Sequence, residues 1–442
     1  SGICGYNPTA NTYLGYHAGK GHPDSTGGTG GSCNVAVGYN AASNIRAGNN
    51  NVLIGRYVAA SSSTASNNIA MGNQPLYCNL TGSGNVSFGS QSMEHLLTGN
   101  LNIGISCNAL HNTTTGSHNI AIGHNSLYCN STNSNSIAIG CLAGYKATCG
   151  PNIMIGAGAG CNLNGCQNVM MGIGAGTQSR ESTGNTIIGH SAGACNYTGD
   201  YNTFIGCKAG IGYTTGSANI SVGYNAGAHV CGATGSANIS MGYLSGKCIS
   251  SAECNISIGQ CAACCLSTGG CNVAIGSCAG KGYASGSENV SIGNESGSQS
   301  GNSSGSGNIT LGKAGQCITT GSNNIAMGIV NMNTGNVQGD ANISMGPYTG
   351  RRLTTGEYNT FIGGSAGRYT TTGGRNIFFG IFAGYCNVSG GCNVAIGCNA
   401  GRSSVAACDN ISMGRAALFS NEIGGGNVAI GHSASYGVRG SN

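Results

Sequence analysis

Tryptophan is absent from this 442-residue chain, proline occurs five times, and charge is limited to 16 basic and 11 acidic side chains. Each scarcity excludes something. The net charge of +5 is spread thinly, with Arg351-Arg352 its densest point, so the clustered basic footprint of a nucleic-acid-binding protein is missing. Aspartate occurs only as Asp24, Asp200, Asp340 and Asp409. That excludes calcium-binding nonapeptide rolls, which place Asp in every repeat, and counts against paired-carboxylate glycosidases. No apolar run approaches a membrane span, so no membrane insertion is expected. Glycine is abundant (83 residues), but without a Gly-X-Y triplet it does not indicate collagen. The absence of Trp counts against carbohydrate stacking, although 19 tyrosines can substitute. The chain opens at Ser1 with neither an initiator Met nor a signal peptide, as expected of a processed product or a segment of something longer.

What is present is a phrase repeated 25 times: Asn, β-branched residue, variable residue, large apolar residue, Gly, as in Asn119-Ile120-Ala121-Ile122-Gly123 and Asn427-Val428-Ala429-Ile430-Gly431. First residues of successive copies lie 17 apart in 15 of 24 steps. The sixth copy reads as Asn100-Leu101-Asn102-Ile103-Gly104, so the fifth residue is glycine in every copy, and Leu101 is the one exception to Val, Ile or Thr at position 2. Position 1 departs from Asn only at Ser136. A short period sustained from end to end is the signature of a solenoid.

Strand chemistry dominates each repeat. β-Branched residues suit a pleated, half-buried surface, the apolar spacing has period 2, and glycine is too frequent for helix. The expected fold is all-β, a parallel β-solenoid of about 25 coils. It forms one continuous array over residues 1–442, with irregular N-terminal coils at 1–33 and regular coils over 34–442. At about 4.8 Å per coil, the array would be a rod of roughly 120 Å. Asn at position 1 should stack as an amide ladder, which removes Asn219, Asn238 and Asn255 from the glycosylation acceptors. Asn79, Asn196 and Asn387 remain as candidate acceptors off the strand.

Positions 2 and 4 point the same way and are read as inward, which turns position 3 outward. Position 3 carries bulky runs, Met154, Met170, Ile187 and Phe204, then Phe361 and Phe378. Stacked, these give an apolar stripe that either packs against the coil's second wall or forms a lateral contact between chains.

The 24 cysteines have no zinc-ligand spacing and imply disulfides in an extracellular setting. Equal positions in neighbouring coils lie near the Cα separation of a disulfide. That matches Cys248 with Cys265, Cys254 with Cys271 and Cys261 with Cys278, and nearly matches Cys149 with Cys166 and Cys392 with Cys408. The alternative is that some cysteines fill the core as small apolar residues. His124, His190 and His432 share position 6 in non-adjacent coils and cannot share a metal. His190 lies one coil from Cys207 without an orienting third group. No catalytic, cofactor-binding or metal residues are assigned, and the chain is expected not to be an enzyme.

The phrase Asn-x-Ala-Ile-Gly-x-x-Ala, with Thr-Thr-Gly before the next Asn, resembles repeats of tail-fibre and virion-fibre proteins of phages and large viruses. It is also similar to the head repeats of trimeric autotransporter adhesins, whose shorter unit folds as a left-handed parallel β-roll. A rod-like solenoid with few charges and unpaired strand edges at its ends is expected to be a self-associating structural fibre subunit, assembling end-to-end and/or laterally, outside the cell or on a virion. The alternative is an adhesin or receptor-binding rod with a cell-surface or glycan partner. Steps of 19 residues near 100–119, 219–238 and 289–308 would supply its divergent loops.

Overall fold

The computed structural model describes residues 10–21, 31–229, 232–298 and 303–437. It is all-β: 25 strands of three to five residues, with no helix among the described residues. They fall into two compact units, Ser1–Asn219 with Val230–Gly232, and Ile220–His229 with Ala233–Asn442. In the first unit β1 (Thr12–Leu14) through β12 (Thr203–Ile205) pair in chain order, all parallel. In the second, β13 (Ile220–Val222) through β25 (Val428–Ile430) do the same. Each unit is a β-solenoid in which one coil supplies one strand.

Hydrogen bonds between coils run in both directions around the turn. The Ile120 N–H donates to Ser136 O of the next coil at 2.9 Å, and the Gly123 N–H to Ile105 O of the previous one at 2.9 Å. The ladder at position 1 runs alongside. The Asn68 backbone N–H donates to Asn51 Oδ1 at 2.9 Å, its Nδ2 to the same oxygen at 3.2 Å, and Nδ2 also to Gly82 O at 2.9 Å. The same bonding recurs at Asn85, Asn185, Asn255, Asn272 and Asn376. At Ser136 the hydroxyl replaces the amide and accepts from the Asn152 N–H at 3.3 Å.

The fifth position explains its own glycine. At Gly123 φ is +132°, and a Cβ there would lie 2.6 Å from the carbonyl of Gly140 on the next coil. Both the torsion and the approach between coils disfavour a side chain. One copy does without. Strand β6 is Ile103–Ile105 and pairs Ile103 with Val86 and Gly104 with Ser87. Position 1 is therefore Asn102, and the fifth residue is Ser106 at φ +111°. The register at Asn100 read from the sequence is shifted by two residues. A two-residue shift preserves the alternation of faces, which is why both registers fit the pattern. The irregular 100–119 step disappears with it, leaving the 19-residue steps at 219–238 and 289–308. Residues 230–231 and 299–302 within them, like 1–9 and 22–30 of the N-terminal coils, lie outside the described residues.

The direction of the strands is the reverse of that expected from the sequence. Position 3 is buried and positions 2 and 4 face out: Met154, Met170, Ile187, Phe204 and Phe361 are fully buried and Phe378 nearly so. Their bulk is matched by glycine six residues on. A Cβ on Gly367 would meet the Phe361 ring at 2.7 Å. In other coils position 3 is small and position 9 large, as in Ala70 with Leu76, Ser87 with Met93 and Ala121 with Leu127, all buried. Where both are small, as in Ser240 with Gly246 and Ala274 with Gly280, buried Ile249 and Tyr283 at position 12 fill the space, so close packing draws on three positions of the coil. The rings of Phe361 and Phe378 stack at 5.3 Å between coils.

Candidate functional site

With position 3 turned inward, each strand presents positions 2 and 4 on an outer face. In the first unit position 2 runs Thr12, Val35, Val52, Ile69, Val86, Ile103 and onward to Thr203, and position 4 runs Leu14, Val37, Ile54, Met71, Phe88 and Ile105 to Ile205. In the second unit the columns begin at Ile220 and Val222 and end at Val428 and Ile430. Neither column contains a charged residue in either unit. Neighbours on the coils above and below shield the flanks of each side chain, so the tips alone are exposed. Met71, Ile139, Met171 and Ile205 are 49, 37, 37 and 37 % exposed, and Met241 and Phe379 are 40 and 53 %. Twelve strands at about 4.8 Å spacing give a stripe roughly 50 Å long, and two side chains make it about 10 Å wide. That is at the upper end of the largest apolar patch on a typical monomer, about 300–600 Å², and each unit carries one. Position 6 is mixed: exposed Ile173, Tyr224, Tyr243, Ile329 and Ile381 widen the apolar face locally, whereas Arg56, Lys313 and Arg415 place charge at its edge.

A second surface lies at positions 7, 10 and 11 of the second unit. The Arg352 guanidinium stands 4.6 Å from the Tyr369 ring centroid. Arg368 lies 5.4 Å from Tyr348 and 5.8 Å from Tyr385, and Arg402 lies 5.2 Å from Phe382 and 5.4 Å from Tyr385. Thr334, Arg351, Arg352, Arg368 and Tyr369 line a cleft of about 120 Å³. Cation–π contacts hold the guanidinium planes against the rings and leave their edges available to acceptors. In the sequence only Arg351-Arg352 stands out, because stacking adds the other arginines, Arg368 one coil on and Arg402 two coils beyond that.

The lateral-interface residues expected from the sequence, Met154, Met170, Ile187, Phe204, Phe361 and Phe378, are core residues and touch no solvent-facing partner; the second-wall alternative is the one realised. The candidate acceptors Asn79, Asn196 and Asn387 are also fully buried. Each amide closes a tight corner: Asn79 Nδ2 donates to Gly82 O at 2.9 Å, with equivalents at Asn196–Gly199 and Asn387–Gly390. Such corners satisfy the backbone where it bends, and in the folded chain they are closed to a glycan.

Cys149 and Cys166 form a disulfide with a Cα separation of 5.2 Å, and Cys195 is also disulfide-bonded. The other matched cysteines are thiols in the structure: Cys248, Cys265, Cys254, Cys271, Cys261, Cys278, Cys392 and Cys408. Cys254 and Cys271 do stand in register, each two residues before paired strand positions. Cys392 does not face Cys408, which instead accepts from the Gly391 N–H at 3.3 Å. Cys264 and Cys265 bring their sulfurs to 3.9 Å, and burial first, then Cys265, pushes the Cys264 thiol up to about 12. His190 Nδ1 lies 3.9 Å from Cys207 Sγ on the surface. No helix among the described residues is long and apolar enough to cross a membrane. Compared with known proteins, the chain matches no family model and no curated protein.

Proposed function

We propose that this chain is a non-catalytic structural subunit of an extracellular or virion-associated fibre, self-associating laterally through the outer strand face. The observation that carries this reading is the uncharged two-column apolar stripe on each unit. A second copy is its natural occupant, because a copy offers the same ridges at the same spacing of about 4.8 Å, and sheets pack face to face at about 10 Å. A specific interface buries about 800 Å² per partner. One unit's stripe supplies more than half of that before its flanks are counted. The disulfides support an oxidising, extracellular setting. Replacing Ile139, Met171 and Ile205 of the first unit's stripe and Met241, Ile275 and Met413 of the second's with Lys places charge on both faces without touching the core. The oligomer mass measured by light scattering should fall to that of a monomer, and unchanged mass would remove the proposal.

The Arg–Tyr surface favours a second reading, a receptor-binding rod whose partner is an acidic glycan. Planar guanidiniums recognise sulfate and carboxylate groups bidentately. Binding to heparin that is weakened at least tenfold in R352A/R368A would support it, and equal binding of the variant would oppose it.

A further inference from the structure

We propose that Glu94, His95 and His111 form a zinc site that staples two adjacent coils of the first unit. Glu94 and His95 lie in the turn that follows β5 (Val86–Phe88), and His111 in the equivalent turn after β6 (Ile103–Ile105). Stacking brings the three together. The His95 N–H donates to His111 O at 3.1 Å, and one ligand atom from each side chain lies within 4.8 Å of the other two. The His111 Nε2 is 3.0 Å from Glu94 Oε2. Donors bound at about 2.0–2.1 Å around a tetrahedral ion stand roughly 3.3 Å apart, so this separation suits shared coordination.

The tautomer is set on the other side of the ring. His111 Nδ1 stands 3.0 Å from Asn112 Oδ1, which suits the tautomer with the proton on Nδ1 and the Nε2 lone pair turned toward the carboxylate. In that tautomer a metal ion fits between Nε2 and Glu94 Oε2. The presence of a third donor, His95, favours the metal. Its ring stands at 81° to that of His111 with centroids 4.8 Å apart. Tyr128 of the following coil stacks on the opposite face of His111 at 4.9 Å and holds the ring in place. The side chains of Glu94 and His111 are 13 and 12 % exposed, dry enough to strengthen ligation yet reachable by an ion. Two imidazoles and one carboxylate are a zinc donor set, and they leave a fourth position for water. An imidazole held from its far nitrogen by an oxygen acceptor is the second-shell arrangement that such sites use. The sequence hides the set, because its members lie 16 and 17 residues apart, one coil to the next.

The test is zinc titration by calorimetry on the full chain carrying C78S, with the remaining thiols blocked by iodoacetamide so that sulfur ligation does not contribute. Cys78 is substituted because it adjoins Glu94 and an adduct there would crowd the site. One equivalent of Zn²⁺ should bind. H95A, a surface change that leaves folding intact, and H111A should each weaken binding at least tenfold, and N112A roughly 10–100-fold. Added zinc should raise the melting temperature of the parent and leave that of H95A unmoved. No saturable binding by the parent, or binding by H95A and H111A as tight as the parent's, would overturn the assignment and leave a His111–Glu94 contact between coils.

Discussion

Two residue types hold nearly every coil, Gly at position 5 and Asn at position 1, and each can be tested alone. Gly123 meets the next coil's carbonyl and holds φ at +132°, so G123A should cost about 3 kcal/mol, backbone strain of order 1–3 kcal/mol plus the clash. Gly158 has φ +67°, and a Cβ added there would have nothing within 4 Å. G158A should therefore cost no more than about 1–2 kcal/mol, the left-handed penalty alone. Urea unfolding of the two variants distinguishes them, and equal costs would contradict the steric account. Asn185 accepts from the Asn202 N–H at 2.7 Å and donates to Gly199 O at 3.0 Å while fully enclosed. N185A strands two buried groups at about 1–3 kcal/mol each and should lower the unfolding midpoint accordingly. The Cys264 thiol stays neutral in the fold up to about pH 12, whereas in the unfolded chain it ionises near its ordinary value of about 8.5. Above that value the unfolded state releases a proton that the folded state keeps. The contribution is therefore fully present below about pH 8.5 and is lost as pH rises toward 12. The urea midpoint of the parent should fall more between pH 8 and pH 10.5 than that of C264A.

At the scale of the strand, the decisive fact is which side faces in. Period-2 alternation states that positions 2 and 4 share a side; it does not state which side. The sequence suggested the wrong one because large apolar residues sit at 2 and 4 while Ala and Ser dominate position 3, the usual pattern of a strand with an apolar core. A coil this thin has little interior, and small residues fit it: Ala36, Ala121, Ser240 and Ser257 are all fully buried. The bulky exceptions at position 3 are filled-in interior, offset by glycine at position 9. F204A should then destabilise the first unit by about 3–5 kcal/mol, measured by urea unfolding, while I205K leaves stability within about 1 kcal/mol. A reversed order would restore the outward reading of position 3. Coil period, parallel pairing and the Asn ladder were legible because each is written within one repeat. The zinc ligands and the Arg–Tyr surface were not, because each is written down a column, one residue per coil, where spacing rules for single loops find nothing.

For the whole molecule, function reduces to what the outer faces do. Two units each present a two-column stripe without a charged residue, flanked at position 6 by Arg56 in the first and by Lys313 and Arg415 in the second, and an apolar sheet face of this length in water is a surface awaiting a partner. The partner proposed for it is another copy. Analytical ultracentrifugation at micromolar concentration tests this most directly, comparing the parent with a variant that carries Lys on both stripes, I139K/M171K/I205K with M241K/I275K/M413K. The expected result is a multimer for the parent and a folded monomer, with unchanged far-UV circular dichroism, for the variant. A parent that sediments as a monomer, or a variant that retains the parent's mass, would contradict it.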